Sequence, residues 1–153
     1  MLRAIGAGAA CVALGVYAER ALVRKREQLQ AWLMAMKTIE IHCTCARETP
    51  REMLHAGAAY VKLLDDIAPV QTQQEQKELL EKAGVPSDVR AVIAPALRAV
   101  MNGSQAEQAE HVRLAVSQLE MLLGTAREKC ERNAKLYMSL GVWGGLCAAL
   151  MLI

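Results

Sequence analysis

The sequence predicts an all-α protein: an antiparallel helical bundle whose long first and last helices each continue into a membrane-spanning helix. Three observations predict it. Apolar residues recur at spacings of three and four over long stretches, which places them on one helical face. No segment alternates with period two for long enough to make a strand. The chain of 153 residues is 54% hydrophobic yet only 3% aromatic, with no Phe, a composition suited to helices packed through small side chains and ill suited to a β-sandwich. That length allows one small domain with anchors, not two independent cores.

The ends and the middle differ sharply. Apart from Arg3, every charge lies between Glu19 and Lys135. The C-terminal run 136–153 is uncharged, and its 18 residues reach the lower limit of roughly 17 to 20 needed to cross a bilayer core as a helix. Leu140, Val142, Trp143, Leu146 and Leu150 are its expected membrane-anchor residues. The N-terminal run 4–18 is uncharged and rich in Gly and Ala, with Ile5, Val12, Leu14 and Val16 as the corresponding anchor residues. A signal peptide competes here, with Arg3 as its basic start and Val16-Tyr17-Ala18 as a tolerable cleavage site. The basic cluster directly after the run favours an uncleaved anchor. Basic residues beside a spanning segment stay cytoplasmic, so Arg20, Arg24, Lys25 and Arg26 set the end of the first segment inside, and Lys129, Arg132 and Lys135 set the start of the last one inside. The expected organisation is therefore a transmembrane helix over 1–18, a cytoplasmic bundle over 19–135 and a transmembrane helix over 136–153, both termini outside.

Within the bundle, 20–48 reads as one long helix with Leu29, Trp32, Met36, Ile39 and Cys43 on a narrow stripe. Thr49-Pro50-Arg51-Glu52 is a strong helix start: Thr49 as cap, Pro50 at the first helical position, Glu52 completing a capping box. The helix it opens carries Leu54, Ala58, Val61 and Leu64 and is expected to run to Pro69. A polar stretch, 71–76, leads into a short helix ending at Ala83. Gly84-Val85-Pro86-Ser87 is a turn, Gly84 closing one helix and Ser87 capping the next. Val89, Val92, Ile93, Ala96, Leu97 and Val100 form the apolar face of that helix, which Pro95 should kink or divide. Asn102-Gly103 ends it. Ser104-x-x-Glu107 is a second capping box, opening a last helix with Val112, Val116, Leu119, Leu123, Ala126 and Cys130 on its inner face.

Side chains that could carry chemistry are few. His42-Cys43-Thr44-Cys45 resembles a metal motif, but on a helix its two cysteines point about 200° apart, so small buried residues at a helix end account for it better. Five cysteines make no disulfide framework and fit a reducing cytoplasm. His55 and His111 read as helix-surface residues. Gly6-x-Gly8 lacks the strand and the Lys-Ser/Thr of a phosphate loop. Asp65 and Asp66 are expected at a solvated helix C-terminal end, with a basic neighbour as the other option. Glu40, flanked by Ile39 and Ile41, is either an edge charge facing water or a contact within the bundle or with a partner. A net charge of +2 without a concentrated basic face excludes a nucleic-acid binder. Catalytic, cofactor-binding and metal residues are therefore all expected to be absent.

Lys135-Leu136-Tyr137-Met138-Ser139-Leu140-Gly141-Val142-Trp143-Gly144-Gly145 resembles the C-terminal ending of the stage III sporulation protein AB family. So does the pattern of Ala31 to Glu40 followed by Thr49-Pro50-x-x-Met53-Leu54, as well as the Met1-Leu2-Arg3-x-Ile5-Gly6 start. Departures from the family pattern fall at Met138, Arg51 and the stretch 43–48, and residues 60–104 supply no motif to match. The resemblance implies a domain similar to the helical cytoplasmic domain of type II secretion system F proteins. It further implies a non-enzymatic platform component of the mother cell–forespore channel complex needed for endospore formation. The implied partners are a cytosolic sporulation ATPase and a polytopic membrane component of the same operon, in the mother-cell-derived membrane around the forespore. Because the distal tips of the bundle lie farthest from the anchors, Glu48, Arg51, Asn102 and Gln105 are the expected partner contacts, with Glu40 a further candidate. A homo-oligomer is compatible with the apolar stripes. The competing reading is a two-anchor regulatory membrane protein acting through helix–helix contacts.

Overall fold

Six helices and no strand make up the described residues of the computed structural model: α1 Leu2–Thr44, α2 Pro50–Ala58, α3 Leu63–Ile67, α4 Gln73–Lys82, α5 Ser87–Asn102 and α6 Gln105–Leu152. The structure describes the backbone of residues 2–44, 48–70 and 72–152, and the side chains of residues 20, 23–44, 48–70 and 72–132. Two compact units are present, one of Gln28–Leu123 and one of Met1–Glu27 with Gly124–Ile153.

In the Gln28–Leu123 unit the expected stripes form the core. Leu29, Trp32, Met36, Ile39 and Cys43 of α1 are buried, as are Val112, Val116, Leu119 and Leu123 of α6. Across the pair, the Lys37 Nζ meets Glu120 Oε1 at 2.7 Å and the Gln105 amide donates to the Cys43 carbonyl at 3.5 Å. Rising positions on α1 thus meet falling positions on α6, so the two helices run antiparallel. The ion pair is half exposed at both ends and adds at most about 1 kcal/mol; burial of the stripes holds the helices together. Around them, α2 packs on α3 and α5, and α4 packs on the same two helices.

The first capping box forms as the sequence dictates. Thr49 is extended (φ −75°, ψ 151°), its hydroxyl accepts from the Glu52 amide, and Glu52 accepts from the Thr49 amide at 2.7 Å. The helix it opens does not reach Pro69. It stops at Ala58, and α3 follows after a turn closed by the Tyr60 and Val61 amides on the Gly57 carbonyl. Packing explains the break: Leu64 and Ile67 are fully buried, and a Cβ on Gly57 would come within 2.8 Å of Leu64 Cδ1 and 3.1 Å of Ile39 Cδ1. Bare backbone at Gly57 lets α3 fold back onto α2 and α1, burying two large side chains that a straight continuation would carry away.

Three other boundaries differ from expectation. α4 begins inside the polar stretch, at Gln73, since burial of only Gln76 and Leu80 suffices to seat it. Pro86, not Ser87, holds the cap position of α5, with no side-chain hydrogen bond there; its ψ of 145° already has the extended geometry that a cap requires. Pro95 leaves α5 undivided because it sits on the exposed face, where the carbonyl deprived of a donor can turn to water. Gly84 closes α4 as expected, at φ +70°. Its amide donates to the Glu81 carbonyl and the Val85 amide to the Leu80 carbonyl, the paired bonds of a Schellman end.

The other unit contains the terminal parts of α1 and α6. Arg20, Arg24, Lys129 and Arg132 are exposed, and Lys25 and Arg26 half-buried. Lys135 and the expected anchor residues Ile5, Val12, Leu14, Val16, Leu140, Val142, Trp143, Leu146 and Leu150 lie outside the residues with described side chains. Among the described residues no helix is long and apolar enough to cross a membrane.

Two glycine substitutions separate these roles. Gly84→Ala forces a side chain into the left-handed region and is expected to cost about 1–2 kcal/mol. Gly124→Ala, in a helix interior with nothing within 4 Å of the new Cβ, is expected to add about 0.5–1 kcal/mol. Thermal unfolding of the full-length chain in detergent, followed by circular dichroism, checks both signs.

Candidate functional site

Helix ends converge at one end of the Gln28–Leu123 unit, and the convergence follows from how their unpaired backbone groups are satisfied. At the α5–α6 corner the amide of Gln108, a buried residue, donates to the Val100 carbonyl at 3.1 Å and the Gly103 carbonyl at 3.0 Å. Val100 is one of the terminal α5 residues whose carbonyl has no partner in its own helix. Gln105 does the same for Cys43 near the end of α1. Gln76, buried on α4, donates to the Val70 carbonyl at 3.4 Å and contacts Met101 Sδ, tying the segment after α3 to the end of α5. Glu107 accepts from the Ser104 amide at 2.8 Å and from its hydroxyl at 2.9 Å.

Three adjoining grooves result. The first, about 880 Å³, is lined by His42, Glu48, Arg51, Glu52, His55 and Asp65 among others. A second, about 650 Å³, runs over Pro50, Arg51, Leu54, Pro69, Met101 and Asn102. The third, about 340 Å³, includes Arg98, Asn102, Glu107 and His111. Arg51 lines the first and second, and Asn102 the second and third.

Electrostatics in the first groove are organised as pairs. His42 Nδ1 donates to Glu48 Oε2 at 2.5 Å. His55 Nδ1 donates to Asp65 Oδ1 at 2.8 Å. The hydrogen bonds from Thr49 hold the Glu52 carboxyl below its ordinary range, and those from Ser104, with His111 nearby, do the same for Glu107. Beneath the groove, burial and then the Glu40 carboxylate push the Cys43 thiol up. It stays protonated and contacts Met53 Sδ at 3.7 Å.

The expected partner contacts are thus largely brought together. Glu48, Arg51 and Asn102 line the grooves, and Gln105 lies beside them, its amide engaged by Cys43. Glu40 lines none of the three grooves; it is half-buried on α1, one turn before Cys43. Asp65 and Asp66 lie in the five-residue α3, in its first turn and, for Asp66, next to its last residue, and Asp65 meets a basic neighbour, His55, which was the other option for this pair. His42, His55, Asp65 and Arg98 were not among the expected site residues. The His55–Asp65 pair depends on the α2–α3 break, which no local signal marks, whereas Arg98 could have been found from its place one turn before the predicted helix end at Asn102. Cys45 of the His42-Cys43-Thr44-Cys45 stretch lies outside the described residues. Among the described residues no three His, Cys, Asp or Glu side chains gather as metal ligands.

A family model described as stage III sporulation protein AB matches residues 66–153, more than half of the chain. The match includes the part of 60–104 in which no motif was legible, and it leaves out 19–56, where a resemblance was read. No curated protein and no solved structure matches the chain.

Acid should unpick the Thr49–Glu52 capping box and the Ser104–Glu107 hydrogen bonds. Folding favours the charged forms of Glu52 and Glu107, so their contribution is present above their ordinary value of 4.5 and lost as pH falls through the lower folded-state values. Stability therefore rises with pH along the acid limb. Glu52→Gln with Glu107→Gln retains acceptors, removes the titration and flattens that limb; an unchanged slope in acid denaturation would contradict the assignment. At the corner, Gln108→Leu leaves two carbonyls without a donor and is expected to cost about 1–3 kcal/mol in chemical denaturation.

Proposed function

Because the chain belongs to the stage III sporulation protein AB family, we propose that it is a non-enzymatic assembly component of the mother cell–forespore channel complex. On this reading the uncharged runs at its two ends anchor it in the mother-cell-derived membrane, and its helical core is held on the cytoplasmic side. The grooved end is the surface offered to a cytosolic sporulation ATPase. The observation that carries the proposal is the family match over 66–153. That stretch holds α4, α5 and α6, hence the α5–α6 corner and half of the grooved end.

Two features support a docking role over a catalytic one. The carboxylates that line the grooves are tied to helix starts or to histidines, which leaves less ordering to do on binding. The basic residues Arg20, Arg24 to Arg26, Lys129 and Arg132 follow the first uncharged run and precede the second, as expected of positions on the cytoplasmic side of a membrane.

Capture of the sporulation ATPase by the full-length chain in detergent tests this. Saturable binding is expected, weakened about tenfold or more, some 1.4 kcal/mol, by Asn102→Trp in the grooves and left unchanged by Met34→Gln on the exposed side of α1. No binding by folded full-length chain, or equal loss from both variants, would sink the proposal.

A further inference from the structure

Of the large apolar side chains that stand exposed among the described residues, all but Tyr60 share one face of the α1–α6 pair: Met34 (42%) and Ile41 (60%) on α1, Leu114 (53%) and Met121 (71%) on α6. Within each helix the two are about two turns apart and so point the same way. Going round either helix from its buried stripe in the same rotational sense, the member of the Lys37–Glu120 ion pair comes first and the exposed apolar pair after it. Both pairs therefore lie on the open side of the seam where α1 and α6 meet.

Their levels match as well. The helices run antiparallel, and the contact of Lys37 with Glu120 puts Met34 level with Met121 and Ile41 level with Leu114, each to within about two residues, ~3 Å along the axis. Two apolar rungs result. The charges carried by 34–41 and 113–121 are Lys37, Glu40, Arg113 and Glu120, a cation and an acid from each helix. At the level of Lys37 the cation is on α1 and the acid on α6; towards Ile41 the signs are exchanged, with Glu40 on α1 and Arg113 on α6. A face with no net charge and this alternation is complementary to a copy of itself.

We propose that two copies of the chain meet through this face, α1 of each against α6 of the other. The inference rests on the reading of the uncharged runs as anchors. Both copies then present the end where the chain enters and leaves the Gln28–Leu123 unit to one membrane, so the two-fold axis that relates them runs along α1 and α6. That axis keeps levels and exchanges helices. Met34 meets Met121 of the second copy, Ile41 meets its Leu114, and Lys37 and Glu40 face its Glu120 and Arg113. The face is small, about 25 Å of α1 by two helix widths or some 500 Å², against roughly 800 Å² per partner in a standard interface. The dimer is therefore weak in free solution and forms where a bilayer holds both chains at high effective concentration.

The test uses the full-length chain, carrying a donor or an acceptor dye on an appended N-terminal peptide, in zwitterionic liposomes at low density. Energy transfer above that of chance encounters is expected, lost on dilution with unlabelled chain. Ile41→Glu with Leu114→Glu should weaken association about tenfold or more, with the helical circular dichroism unchanged because both positions are exposed. Lys37→Glu and Glu120→Lys should each self-associate poorly, whereas a mixture of the two variants should pair as well as the unaltered chain, since each supplies the sign that the other needs. No transfer from folded chain that floats with the liposomes, transfer indifferent to the Ile41 and Leu114 changes, or no rescue in the mixture overturns the proposal. Chain that fails to float with the liposomes overturns it by a separate route, because the anchoring reading that sets the axis fails first.

Discussion

Six helices among the described residues leave many backbone amides and carbonyls without partners, and the satisfaction of those groups is the constraint on which the rest of this structure depends. Each helix end must find donors or acceptors from side chains, turns or water. Here the chain spends its polar residues on that task. Thr49 with Glu52 and Ser104 with Glu107 serve the starts of α2 and α6, Gln105 and Gln108 serve the ends of α1 and α5, and Gln76 serves the Val70 carbonyl in the segment after α3. The glutamines reach across helix boundaries, so satisfying a carbonyl also fixes one helix against the next. A polar, grooved and preorganised end is the consequence.

How much of this was legible follows from the range over which each interaction acts. The capping boxes span three residues, so the pattern around Thr49-Pro50-Arg51-Glu52 and Ser104-x-x-Glu107 was sufficient to place both helix starts. The stripes of α1 and α6 repeat over several turns and were equally plain, as was the turn at Gly84. What escaped reading was non-local. The division into α2 and α3 depends on the absence of a side chain at Gly57 opposite Leu64 and Ile39, a three-body fit among residues from two separate stretches. Because nothing local marks that break, the sequence offered a basic neighbour for Asp65 and Asp66 without identifying it as His55. Family resemblance had a similar limit: the eye found motifs near the ends, whereas the family match from residue 66 onward draws on a middle section in which no single motif stands out.

The physical picture joins the two halves of the argument. A core built from the α1 and α6 stripes, with α2 to α5 packed around it, carries one end of the unit as a rigid surface, and membership of the stage III sporulation protein AB family supplies the biological setting in which such a surface would be used. That surface presents His42 paired with Glu48, His55 paired with Asp65, and the exposed guanidinium groups of Arg51 and Arg98.

The most direct test of the central claim, that the grooved end is where the partner sits, is site-specific photo-crosslinking in sporulating cells. A photoreactive phenylalanine analogue replaces Asn102, and in a separate strain it replaces Tyr60, an exposed residue in the α2–α3 turn that lines none of the three grooves. The account predicts a crosslink to the cytosolic ATPase from position 102 and none from position 60. A crosslink to that ATPase from position 60 alone, or from neither position while the chain is present at normal levels, would contradict it.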